Sequence, residues 1–550
     1  MPTSFDATAV GKDATASARD TTALGVDAEA TDNDATALGG ASSASGLSSL
    51  AVGTRSTASG DLASAVGESS RATAGSAIAI GFDAEATASE TTAVGSESTA
   101  SGSRSVASGF AAEATGSDAI SIGPFSFATG NSAISIGEVS DASEAGSIAL
   151  GGDGFDLDAL GAQATAVSAM ALGTDAEASA AEATAIGTAS EASGVDSVAL
   201  GDFSTAAGSD AISIGSASQA SQSSSIAIGG DGNDSGTLGA QAIAGGAMAL
   251  GADANASATD AMSIGDSSDA TADSAIALGA LSEASGVSAI ALGEQSDATG
   301  DGATALGGQS VSSGVQSTAV GEASQATFAL STALGANSAA TADFATALGE
   351  RSAASAQSSI AIGSDSSTTA VEAIAIGSAS DATTAGSVAI GGDDEDADSL
   401  GAQATGDETV AIGGDAVASG FKSSALGKGA TASDSGAIAI GGDTVASGFV
   451  STVIGVNSQA TGSEAIAVGA NTRADFNQAI TVGTDAGVGG IGAIAMGHEA
   501  NADAVDAISL GRNSDATQDG SIAIGGDGAD SGTAGAQATG GNAIAFGVDT

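Results

Sequence analysis

Ser76-Ala77-Ile78-Ala79-Ile80-Gly81, followed by Phe82-Asp83-Ala84-Glu85-Ala86-Thr87-Ala88, decides how the whole chain is read. The unit recurs from end to end. Its closing glycine falls every 14 residues, from 11 to 151, 173 to 229, 251 to 391 and 413 to 525, with a last copy at 547. There are 37 copies in one register, broken only by four steps of 22 residues. Self-similarity at a short fixed period is the signature of a solenoid, in which each repeat packs on its neighbours. A length of 550 residues would otherwise suggest several globular domains. The period instead predicts one continuous β-solenoid over 1–550.

With that glycine numbered 0, position −1 is Ile, Leu or Val in every copy but those with Ser108, Met496 and Phe546. Position −3 is almost always Ile, Val, Leu, Met or Thr, and position −2 is Ala or Ser except at Val453 and Thr481. Large-small-large alternation is the period of a β-strand. The small positions carry no charge, so both faces of this strand are expected to be covered. Beyond the glycine, +3, +5 and +7 are mostly Ala, Ser or Gly, +4 is often acidic (Glu29, Glu85, Glu177, Asp297), and +6 is usually Thr or Ser. That pattern predicts a second strand with a small-residue inner face and a wet outer face. Gly, Asp, Asn and Ser at 0 to +2 and +7 to +9 turn the chain between the two.

One repeat is therefore one coil of a flat, all-β, parallel two-sheet roll with a narrow interior. Buried alanine contributes little, at about 25 cal/mol per Å². The large aliphatics either fill the roll or meet identical chains around an axis, and a closed cyclic oligomer is expected. At about 4.8 Å between strands, 37 coils make an elongated shaft of roughly 180 Å.

Composition removes whole classes of function. Cys is absent, so disulfide and thiolate chemistry are absent too. Sixty-six acidic residues against ten basic ones leave a net charge of −56. Phosphate recognition needs a basic footprint, so no nucleic-acid partner is expected, and anionic lipid surfaces are disfavoured likewise. An acid excess with only Lys12, Lys422 and Lys428 as lysines resembles the style of salt-loving archaea, where molar salt screens self-repulsion. A basic leader with an apolar core is not seen, nor any run of about 18 apolar residues, so neither a secretory signal nor membrane insertion is expected. His498 is the single histidine and reads as a surface residue. With it alone, transition-metal sites and Ser-His or Cys-His nucleophiles are not expected. The carboxylates lie on the wet face, and the glycine turns lack the Gly-Lys-Ser/Thr of a phosphate loop. An enzyme is not expected.

Asn131-Ser132-Ala133-Ile134-Ser135-Ile136-Gly137, with Ser126-Phe127-Ala128-Thr129-Gly130 before it, resembles the YadA-like head repeat of trimeric autotransporter adhesins. The resemblance covers nearly the whole chain. It implies a left-handed parallel β-roll with one coil per repeat, a homotrimer, surface attachment and no catalysis. Such adhesins normally carry a signal peptide and a C-terminal stalk and anchor, which are not read here. Similar repeats occur in tail fibres of viruses. The expectation is therefore a tail or spike fibre of a virus infecting a halophilic host, held by virion tail or baseplate proteins and binding a host-surface receptor, glycan or protein. The other reading is an adhesin or surface filament of a halophilic archaeon or bacterium. Either is an extracellular surface structure.

Each 22-residue step adds eight residues, within 152–172, 230–250, 392–412 and 526–546, and each keeps Gly-Ala-Gln-Ala (161–164, 239–242, 401–404, 535–538). Eight residues form a side loop or lengthen one coil without disturbing the stack. The run Gly151-Gly152-Asp153-Gly154-Phe155-Asp156 resembles the calcium-binding nonapeptide Gly-Gly-x-Gly-x-Asp of RTX proteins. That resemblance implies calcium at Asp156, Asp234, Asp396 and Asp530, with Asp153, Asp231, Asp393 and Asp527 beside them adding ligands. Calcium takes six to eight oxygens, and glycines let carbonyls converge on it. Asp394 stands where the motif has a glycine, and Gly236 and Gly532 where it has an aliphatic. Solvated acidic loops and protruding receptor contacts are the alternatives. Phe82, Phe110, Phe125, Phe203, Phe421 and Phe449 read as covers of the roll edges or as sugar-stacking platforms.

Overall fold

The computed structural model describes residues 6–154, 160–232, 238–393, 400–528 and 534–548. They divide into two compact units, Met1–Leu281 and Ser282–Thr550. Each unit is a parallel β-solenoid, and the described residues contain no helix. No helix is therefore long and apolar enough to cross a membrane.

A coil of the first unit shows the plan. Ile78–Ile80 is a three-residue strand and Glu85–Ala86 a two-residue strand. Ile78, Ala79 and Ile80 lie opposite Thr92, Ala93 and Val94 on one side and Ser64, Ala65 and Val66 on the other. The second unit repeats this: Ile360–Ile362 pairs in the same register with Thr346–Leu348 and Ile374–Ile376. Every side chain thus sits over its own position in the next coil.

The interior is made of four positions per coil, −4, −2, +3 and +5. Ala77, Ala79, Ala84 and Ala86 fill them in one coil, and Ser359, Ala361, Ser366 and Thr368 in another, all at 0 % exposure. Val453 is the largest fully buried side chain among the described residues. Buried hydroxyls need partners, and these are local. Ser70 donates to the carbonyl of Gly67 and Ser366 to that of Gly363, both at 2.9 Å. Where −2 is Ser it meets the +3 Ser across the gap, as in Ser121–Ser126 and Ser263–Ser268 at 2.6 Å. In the coil that carries Val453, Ser458 instead donates to Gly469 of the next coil at 2.6 Å.

The expectation that both faces of the longer strand are covered is not met within the chain. The small residues turn inward and the aliphatics at −3 and −1 turn out: Ile78 and Ile80 are 36 % and 42 % exposed. A gap filled by Ala, Ser and Thr has no room for Ile or Leu, so the larger residues have only the outside left.

The corners explain the repeat's glycine. Gly81 has φ +142°, and a Cβ there would stand 2.1 Å from the carbonyl oxygen of Gly95. Asp83 at +2 and Ser76 at −5 are also left-handed, with φ 51° and 57°. That conformation costs an ordinary residue roughly 1 kcal/mol. It is offset by the ladder: Asp83 N donates to Glu68 O at 3.0 Å and Ser76 N to Asp61 O at 2.7 Å. Gly81→Ala is expected to destabilise its coil and the next by at least about 2 kcal/mol. Hydrogen exchange should show protection lost over residues 78–97 with distant coils unchanged; full protection there would contradict this account.

Candidate functional site

The inserts are the places where the repeat departs from itself. Asp153 N donates to Glu138 O at 3.2 Å, the bond a +2 residue makes in a plain coil. On the far side of the insert, Gly161 N donates to Val139 O and Ala162 N to Gly151 O, both at 3.2 Å, which closes the turn. Asp231, Gly239 and Ala240 make the same three bonds at 3.1, 3.0 and 3.0 Å. So do Asp393, Gly401 and Ala402, and Asp527, Gly535 and Ala536. Each insert therefore falls on the first turn, and the flanking strands pair directly, as Asp141 with Gln163 and Ile148 with Met170. The recurring glutamine clips the loop base: Gln163 Nε2 donates to Val139 O and Gly161 O, and Gln403 Nε2 to Ala379 O and Gly401 O, in long bonds of 3.3–3.4 Å.

Of the candidate calcium ligands, Asp153, Asp231, Asp393 and Asp527 stand where the loops depart. Asp231 is exposed and the other three half-buried. Oδ1 of Asp527 is buried with no hydrogen-bond partner. Asp156, Asp234, Asp396 and Asp530 lie outside the described residues.

The structure also gives part of the motif a metal-free reason. Gly154 N donates to Asp175 Oδ1 at 2.8 Å and Gly232 N to Asp253 Oδ1 at 3.1 Å. A Cβ on either glycine would stand 2.2 Å from the other oxygen of that carboxylate. Sequence reasoning missed these aspartates, although the signal was present: Asp175, Asp253, Asp415 and Asp549 each stand two residues after the glycine that follows an insert. Asp549 lies outside the described residues.

Burial shifts carboxyls beside three of the inserts and also at Asp297, which holds +4 in a plain coil away from them and is raised further by Glu283. Asp141, Asp381 and Asp515 occupy +4 in the coil before the first, third and fourth inserts, where the second has Gln219. Burial pushes all three carboxyls above the usual range; Asp503 adds to this at Asp515, and a hydrogen bond from Ser367 opposes it at Asp381. On the open surface the sign reverses. Hydrogen bonds from Arg104 and Arg351, both at 2.6 Å, hold Asp118 and Asp365 below the usual carboxylate range. Such exposed pairs contribute little to stability.

A pocket of about 420 Å³ beside the second insert is lined by Phe203, Gln219, Asp231 and Leu238 among others. One of about 260 Å³ beside the fourth is lined by Glu499, Asn501, Asn513, Ser514, Asp515 and Gln537. The +2 residue two coils ahead of each insert is aromatic in the first unit (Phe125, Phe203) and acidic in the second (Asp365, Glu499). Phe125 packs edge-on against Phe110 at 5.1 Å. These shallow walls of aromatic rings, carboxylates and amides suit binding. His498 is on the surface, as expected, with its side chain 48 % exposed.

A parallel β-coil of 14 residues with a glycine corner and an Ala/Ser interior defines a head-type β-solenoid repeat protein. The family described as YadA head domain repeat (2 copies) matches in a series of windows, some overlapping and some separated by short gaps, from 3–28 to 128–153, 164–190 to 206–231, 242–268 to 369–393, 401–416 to 446–472 and 489–514 to 504–527. The chain belongs to that family. No curated protein sequence matches it.

Because the turn is already closed beneath the loop, deleting residues 154–161 joins Asp153 to Ala162 and restores a plain coil. Measured in EGTA, the deletion is expected to leave the β-sheet circular dichroism and the melting temperature unchanged. A drop of several degrees would mean that the loop braces the stack.

Proposed function

We propose that the chain is the shaft of a homotrimeric, non-enzymatic attachment fibre displayed outside the cell. The observation that carries this reading is the outward row of aliphatics. Ile120, Ile122, Ile134 and Ile136 repeat the outward pattern of Ile78 and Ile80 in their own coils, and exposed apolar rows of this extent mark a contact surface. Covering the exposed half of one such side chain contributes roughly 1 kcal/mol, repeated coil after coil. Family membership supports three chains, since heads of this kind build trimeric adhesins.

The net charge of −56 fits a fibre that works in molar salt, and thus a halophilic setting. The carrier is the tail of a virus infecting a halophilic host. A cell-surface adhesin is the second reading, and family membership favours it. Labelling with antibody against the chain separates the two: virions or cell envelopes take the label. Calcium at the four inserts belongs to this proposal as well, supported by the buried, unpartnered Oδ1 of Asp527. Chelation with EGTA should then lower the melting temperature, and an unchanged one removes calcium from the reading.

The absence of cysteine makes the contact face directly testable. Ile136→Cys should give disulfide-linked pairs of chains under mild oxidation, while Asp61→Cys on the wet turn should not. Cross-linking only from Asp61→Cys would overturn the assignment of the face.

A further inference from the structure

Position +2 is a turn residue in coil after coil, so its side chains form a row. In the second unit this row brings together Asp485 and Glu499, both left-handed with φ 58° and 54°, one coil apart. His498, the only imidazole of the chain, precedes Glu499. One ligand atom from each of the three lies within 4.8 Å of the other two, and all three residues are exposed. His498 Nδ1 is 3.8 Å from Glu499 Oε2. Their backbones are pinned by the ladder: Asp485 N to Ala470 O, Glu499 N to Thr484 O and Asn513 N to His498 O are all 2.9 Å. Next to them, Glu499 also walls the pocket of about 260 Å³. Two oxygens of the residues lining that pocket, Asn513 Oδ1 and Asp515 Oδ1, are buried with no hydrogen-bond partner.

We propose that Asp485, His498 and Glu499 bind one divalent transition-metal ion of the zinc, nickel or copper kind, with water in the remaining positions. An imidazole nitrogen beside carboxylates suits these ions, whereas all-oxygen sets suit calcium and magnesium. Zinc holds nitrogen and oxygen ligands at about 2.0–2.2 Å. The field of a strongly acidic chain raises the local cation concentration. The sequence led us to expect no transition-metal site because there is one histidine. The 14-residue stacking supplies what the sequence hides, a carboxylate from the coil below.

The test is a titration of the full chain with Zn²⁺, with millimolar Mg²⁺ and Ca²⁺ present to occupy carboxylate-only sites. It is followed by calorimetry and by the nitrogen resonances of the single imidazole. One saturable site per chain is expected, with the His498 Nδ1 resonance shifting in step. His498→Ala, Asp485→Asn and Glu499→Gln should each weaken it on the order of tenfold, at unchanged melting temperature. Zinc binding as tight in His498→Ala as in the parent chain, or an imidazole signal that does not move, would overturn the proposal. So would full affinity in both carboxylate variants, which would leave a lone imidazole as the ligand.

Discussion

The structure depends on how closely successive coils approach at one corner. The carbonyl of each repeat's glycine sits where the preceding coil's glycine would carry a side chain, as Gly95 O does over Gly81 at 2.1 Å. Only glycine fits, and its positive φ lets the chain reverse within four residues. The tight corner brings the two strands of a coil so near that Ala, Ser, an occasional Thr and the single Val453 are what fill the space between them. From this one constraint follow the alanine interior, the hydroxyls closing on local carbonyls, and the expulsion of the described Ile and Leu side chains to the outside. A single chain is thereby left with its apolar side chains on the wrong side for water. Repeat proteins gain stability from neighbour contacts. Here the along-chain neighbours supply hydrogen bonds and small-residue packing, and the remaining apolar surface calls for other chains.

Much of this was legible in the sequence. The spacing of the glycines gave the coil, the alternation at −3 to −1 gave the longer strand, and Ala at +3 and +5 gave the inner face of the shorter one. The direction of the longer strand was not legible, because large-small-large reads the same whichever set faces inward. It is settled by the width of the gap, a property of two strands and not of one. The turns were partly hidden as well. Residues as different as Asp83, Phe125, Leu281 and Arg351 adopt left-handed backbone, and a propensity argument would not place them there. The ladder bond that each makes to the previous coil overrides the local preference.

At the inserts the sequence marks four breaks in the period and their recurring Gly-Ala-Gln-Ala. It did not connect Gly154 to Asp175 or Gly232 to Asp253, because the partners stand 21 residues apart and meet only after stacking. The same holds for Asp485 with His498 and Glu499. Stacking turns a spacing along the chain into a contact between coils, so chemistry that looks scattered in one dimension gathers in rows. The interior is too small to hold any of it. Aromatic and charged side chains therefore gather on the turns, with Phe125 and Phe203 two coils ahead of the inserts of the first unit and Asp365 and Glu499 ahead of those of the second.

The central claim is that the outward aliphatics are covered by identical chains. Light scattering of the purified chain in molar salt tests it most directly. The account predicts a particle of three times the 50.4 kDa chain, falling apart as salt is dialysed away and the acidic charges repel unscreened. A folded single chain at 50.4 kDa in every buffer would contradict it.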